Sequence, residues 1–174
     1  MSTALLLAFM SLAGCGPTTL PQGEANLSLR GPVSGTMSHP DWVLCNSAGT
    51  EGTITEVYFQ AKGTVAAKPW LFEVILPIDD YHGPGAYRSS FVQDHAGFVY
   101  ERGATALLSQ YDGFKSYGTL AATDSVHVKI AGRQVTVEAA LSEDPARVRG
   151  DTHPSRAEAV SGTMTCPSLP TSGG

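Results

Sequence analysis

The stretch Ser125-Val-His-Val-Lys-Ile130, then Ala131-Gly132-Arg133-Gln134, then Val135-Thr-Val-Glu-Ala-Ala-Leu141 constrains the fold more than any other part of the chain. Val126, Val128 and Ile130 fall on one side of an extended backbone, with His127 and Lys129 on the other. Val135, Val137, Ala139 and Leu141 separate in the same way from Thr136 and Glu138. Successive side chains of a strand point to opposite faces. A period of two on both sides of a glycine-containing turn therefore specifies a half-buried antiparallel hairpin. A second pair is predicted over 53–62 and 69–77, where Val57, Phe59 and Ala61 share one face and Trp70, Phe72, Val74 and Leu76 another. Further strands are predicted near 26–30, 33–37, 42–45, 97–102, 119–122 and 160–166. No segment beyond the N-terminal apolar run sustains a helical apolar period over three turns. Residues 147–159 read as an exposed loop, given Pro145 before them and Pro154 within.

Composition agrees with a folded, turn-rich β chain. Of 174 residues, 42% are apolar and 16% charged, which is too apolar for a disordered segment and enough for one domain. Formal net charge is −5, and only four of the eleven basic residues are Lys. Phosphate binding begins with clustered Lys and Arg, so nucleic acid is not an expected partner. The pentapeptide Val-Ser-Gly-Thr-Met occurs at 33–37 and again at 160–164, each time shortly before a cysteine. Both copies are predicted to be strands in similar surroundings. The expected architecture is all-β: an antiparallel immunoglobulin-like sandwich or flattened barrel of about seven to nine strands, in which the first and last strands meet.

The N-terminus carries a different signal. Residues 4–13, ALLLAFMSLA, are apolar apart from Ser11, and ten residues are too few to span a bilayer as a helix. They match the h-region of an export signal, although no Lys or Arg precedes them. The ending Leu12-Ala13-Gly14-Cys15 resembles the lipobox of bacterial prolipoproteins. The resemblance implies cleavage after residue 14, a diacylglyceryl group on Cys15, and a lipid anchor at the extracytoplasmic face of a bacterial membrane. The rival is an N-terminal helix packed in the core. Against it stands Gly16-Pro-Thr-Thr-Leu-Pro-Gln-Gly23, uncharged and with two prolines, which reads as a tether. The chain then divides into a signal peptide (1–14), a lipidated cysteine and tether (15–23), a β domain (24–168) and a disordered tail (169–174).

With Cys15 acylated, Cys45 and Cys166 remain as a pair in an oxidising compartment, and a disulfide between them is the expected outcome. Two buried thiols are the alternative. Lipobox, polar tether, small β domain, one cysteine pair and Thr165-Cys166-Pro167 near the end together resemble the mycobacterial small lipoprotein antigens (the LpqH-like group). Tyr81-His82-Gly83-Pro84-Gly85-Ala86-Tyr87 is similar to a Tyr-x-Gly-Pro-Gly-x-Tyr turn of such domains. The resemblance implies a surface-exposed, acylated, non-enzymatic protein, and it brings no catalytic residues.

Local chemistry signals are sparse. Asp79-Asp80-Tyr81-His82 is the densest polar cluster, but adjacent strand residues point apart and calcium needs six or more oxygens, so a solvated loop is expected. His82 and His95 could face each other across a loop, and His39 stands near Asp41. No pair of histidines has metal-motif spacing, and no metal or cofactor is expected. Gly31-Pro-Val-Ser34-Gly35 is not a nucleophile elbow, and Pro84-Gly85 suits the corner of a type II turn. Tyr81, Tyr87, Tyr100, Tyr111, Phe114 and Tyr117 form the candidate binding surface, because tyrosine joins an apolar ring to a polar tip. The competing reading puts these rings in the core. The expected function is a membrane-anchored, non-enzymatic binding module of the cell envelope, with polysaccharide, lipid or protein as partner. A carrier of a lipid or small hydrophobic ligand and an envelope-polymer hydrolase are the alternatives.

Overall fold

A computed structural model of the chain describes residues 23–50, 53–66, 71–93, 99–110, 116–120, 123–144 and 157–168. They form twelve strands: β1 (Glu24–Arg30), β2 (Gly35–Met37), β3 (Pro40–Thr50), β4 (Thr53–Thr64), β5 (Leu71–Asp79), β6 (Gly85–Gln93), β7 (Val99–Gly103), β8 (Leu107–Gln110), β9 (Ser116–Gly118), β10 (Ser125–Ala131), β11 (Gln134–Glu143) and β12 (Ala157–Thr165). All pairings are antiparallel, and the sheet is nearly closed into a barrel. This is the all-β class expected, in its barrel form.

The main path runs β2-β1-β12-β11-β9-β8-β5-β4-β3. It forks at β11, whose one edge meets β10 along Gln134–Ala131 to Ala140–Ser125 and then β9 at Ser142 and Glu143. The β10 branch continues through β6 to β7 and returns to β5, where Ala104 bridges Ile78 and the Thr105 N–H donates to the Pro77 carbonyl at 2.9 Å. Beyond the strands expected, the count reaches twelve through β8 and β9, pieces of four and three residues, and through β6. The two short pieces are too brief to show an alternation, and β6 has Ser89 at an inward position. Residues 119 and 120 lie outside any strand, the rest of that predicted strand being outside the described residues.

The period-two segments bury the faces expected of them, save that Trp70 lies outside the described residues. Val126, Val128, Ile130, Val135, Val137, Ala139 and Leu141 are buried, as are Val57, Phe59, Ala61, Phe72, Val74 and Leu76. Gly132 is the one central turn residue with positive φ, 54°, the pattern of a two-residue II′ hairpin. β5 runs through Pro77 to Asp79, because the proline stands where the neighbour of β5 changes from β8 to the Ala104 bridge and only its carbonyl is used. Inward side chains from all parts of the wall form one continuous apolar cluster.

First and last strands meet. β1 pairs with β12 over its whole length, from Glu24↔Thr165 to Arg30↔Ala159, and with β2 on its other side. The two Val-Ser-Gly-Thr-Met copies therefore flank the same strand, with Met37 and Met164 both fully buried. Both glycines of the repeat hold positive φ, 150° at Gly35 and 140° at Gly162. A Cβ on Gly162 would lie 2.1 Å from the Asn26 carbonyl oxygen, so only glycine lets β1 and β12 approach this closely. The seam between the two ends of the path is tied by the Cys45–Cys166 disulfide, Cα atoms 5.8 Å apart, and by the Ala66 N–H donating to the Thr36 carbonyl at 2.8 Å.

Candidate binding cleft

Alternation along β1 and β12 decides which side chains leave the barrel wall. Ala25, Leu27 and Met164 turn inward and are buried. Glu24, Asn26, Thr163 and Thr165 consequently turn outward. Register sets Glu24 opposite Thr165 and Asn26 opposite Thr163. The segment Ser38-His39-Pro40, which carries the chain from β2 into β3, stands beside this array as a wall. The result is an open cleft of about 550 Å³ lined by Gly23, Glu24, Asn26, Ser38, His39, Pro40, Thr163 and Thr165. Among the described residues it holds one carboxylate and one imidazole and no Lys or Arg.

The cleft is built on tightly packed backbone. A Cβ on Gly23 would lie 2.7 Å from both the Thr165 carbonyl oxygen and the Val43 Cβ, so glycine here lets three chain segments converge. Thr165 directly precedes Cys166, whose N–H donates to the Arg133 carbonyl at 2.9 Å and whose carbonyl accepts from Arg133 Nε at 2.8 Å. Disulfide and Arg133 together hold the floor of the cleft in place.

The expected aromatic surface divides. Tyr81, Tyr87 and Tyr117 belong to the core, each 6% exposed or less, so these three do not form an exposed platform. Tyr81 and Tyr87 stack with ring centroids 5.8 Å apart. The Tyr87 hydroxyl donates to the Gly83 carbonyl and accepts from the His82 N–H at 3.3 Å, closing the 82–87 loop on itself. Burial, and secondarily the neighbouring Tyr87, push the Tyr81 phenol above its ordinary pKa. Tyr100 stands on β7 opposite Val92, its side chain outside what is described. Tyr111 and Phe114 lie outside the described residues, as do Cys15 and His95. In the 82–87 loop Gly83, at φ 109°, takes the positive-φ position rather than Gly85, because Gly85 already begins β6 opposite Ile130.

Asp79 and Asp80 do not converge with His82 on a common point. Asp79 faces Glu56 across β4 and β5. Partial burial, then Glu56 and Asp80, raise its pKa, and Arg102 offsets this in part. Glu56 accepts a hydrogen bond from the Tyr58 hydroxyl, and that bond is the main cause of a raised Tyr58 pKa. Among the described residues no group of three or more His, Cys, Asp and Glu is placed to hold a metal ion. Elsewhere Glu158, 1% exposed, accepts the Val33 N–H at 2.9 Å and supports the turn at 31–34.

Sequence reasoning did not single out Glu24, Asn26, Ser38, Thr163 or Thr165, and His39 drew notice only as a neighbour of Asp41. Their signal lay in the repeat: two similar strands before two cysteines place the N- and C-terminal segments side by side. No protein-family model, curated protein or solved structure matches the chain.

Proposed function

We propose that the protein is a lipid-anchored, non-enzymatic binding module of the bacterial cell envelope, tethered through Cys15 and presenting a disulfide-tied β-barrel. The observation that supports this reading is the apolar cluster formed inside the barrel by the described residues, with the cleft on the outer wall. A carrier of a hydrophobic ligand needs an enclosed apolar cavity, whereas a recognition module needs a rigid body and an outward-facing site. The Cys45–Cys166 bond fits an oxidising compartment. The mature chain would reach Gly23, at the edge of the cleft, eight residues after the acylated cysteine. An extended tether of that length spans at most about 29 Å.

Expression of the full chain in a bacterium, with and without Cys15→Ser, tests the anchor. Wild type is expected in the membrane fraction and the variant in the soluble fraction. Equal partition of the two to the soluble fraction would overturn the lipoprotein reading.

A further inference from the structure

The geometry points to a neutral saccharide as the ligand of the cleft between β1, β12 and the 38–40 segment. This inference rests on the binding-module reading and names the ligand class. Glu24, Thr165, Asn26 and Thr163 form a two-by-two array of outward polar side chains. Its spacing is about 5 Å across the strands and about 7 Å along them, the scale of one sugar ring. A carboxylate accepts from two hydroxyls, an amide donates and accepts, and a threonine or serine hydroxyl does either. The set therefore matches a ligand whose hydroxyls also do both. Among the described residues the side chains of Glu24, Asn26, Ser38, His39, Thr163 and Thr165 make no hydrogen bond to another protein group.

Other ligand chemistries fit less well. An anion would meet the Glu24 carboxylate with no Lys or Arg among the described lining residues to hold it. An apolar ligand would meet a lining that is more polar than apolar, the Pro40 ring being its one wholly apolar exposed side chain among the described residues, since the Ala25 side chain is turned into the core at 4% exposure. The walls are fixed before binding. Gly23 packs against Thr165 and Val43, Gly162 packs against Asn26, and the disulfide follows Thr165 directly. Little ordering is then required of the protein, and that preserves a weak hydrogen-bonded affinity.

The test is a titration of the ¹⁵N-labelled full chain carrying Cys15→Ser with trisaccharides of glucose, mannose and N-acetylglucosamine, with inorganic phosphate and triglycine as comparison probes. At least one trisaccharide is expected to give saturable shifts at the amides of Asn26, His39, Thr163 and Thr165 below about 50 mM, the weak end of measurable affinity. Asn26→Ala is expected to weaken that binding at least fivefold. Thr163→Val is the second variant, should the first fold poorly. Absence of cleft shifts with all three saccharides overturns the proposal. So do cleft shifts with triglycine alone, which would mark a peptide site, and unchanged affinity in both variants. Saccharide failure with Cys15 acylated removes the ligand class and leaves the anchored module. Saccharide binding by a chain that is never acylated removes the anchor and leaves the site.

Discussion

At the scale of single residues, close backbone approaches and facing charges give the sharpest expectations. Gly162 and Gly132 both hold positive φ, but a Cβ at Gly162 meets the Asn26 carbonyl at 2.1 Å while one at Gly132 meets nothing within 4 Å. Gly132→Ala is expected to cost about 1 kcal/mol from backbone strain alone. Gly162→Ala should cost on the order of 3 kcal/mol or more, since β1 and β12 must also separate. Urea unfolding of the two variants checks the order, and equal costs would contradict the close approach. Asp79 gives a pH expectation. Its folded pKa is raised, mainly by burial and next by Glu56. The folded state therefore binds the proton more tightly than the unfolded state. The resulting stability is fully present below the ordinary aspartate pKa of about 3.9 and is lost as pH rises through the raised value. Asp79→Asn should melt about 2 °C above wild type at pH 7 and show no advantage at pH 3. Thermal scans at the two pH values decide it.

At the scale of elements, what the sequence made legible depended on how long and how regular the alternation was. β10, β11, β4 and β5 could be read because each places three or four apolar side chains on one face. β6 escaped because its inward positions carry Tyr87 and the half-buried Ser89, whose Oγ accepts the Val126 N–H at 3.0 Å. That inward hydroxyl is satisfied only by a strand 37 residues away, which local pattern cannot show. The same holds for the cleft, where Glu24 and Asn26 become neighbours of Thr165 and Thr163 only through the β1–β12 register. Of the tyrosines clustered in sequence, Tyr81, Tyr87 and Tyr117 turn into the core, and Tyr87 uses its hydroxyl on Gly83 and His82 to fix the 82–87 loop. Tyr87→Phe keeps the ring and loses both bonds. It is expected to destabilise the fold by about 1–3 kcal/mol and to speed amide exchange at His82, while exchange in β11 follows only the global change.

At the scale of the whole molecule, the barrel is held shut at the seam where the two ends of the strand order meet. The Cys45–Cys166 bond spans 121 residues there. Replacing both cysteines by alanine should lower the unfolding free energy by as much as about 4–5 kcal/mol on the chain-entropy account. It should also speed amide exchange first in β3 and the end of β12, while the β10–β11 hairpin stays protected. Uniform exchange across the molecule would mean that the seam does not govern opening. The proposed compartment, the disulfide, the seam and the outward-facing cleft then form one account, whose starting point is the proposed modification at Cys15. Its most direct test is the intact mass of the protein recovered from bacterial membranes, taken before and after reduction. The expected species lacks residues 1–14, carries diacylglyceryl mass on Cys15, and gains the mass of two hydrogens on unfolding and reduction. A chain that keeps residues 1–14, bears no acyl group and has the same mass before and after reduction would contradict the account.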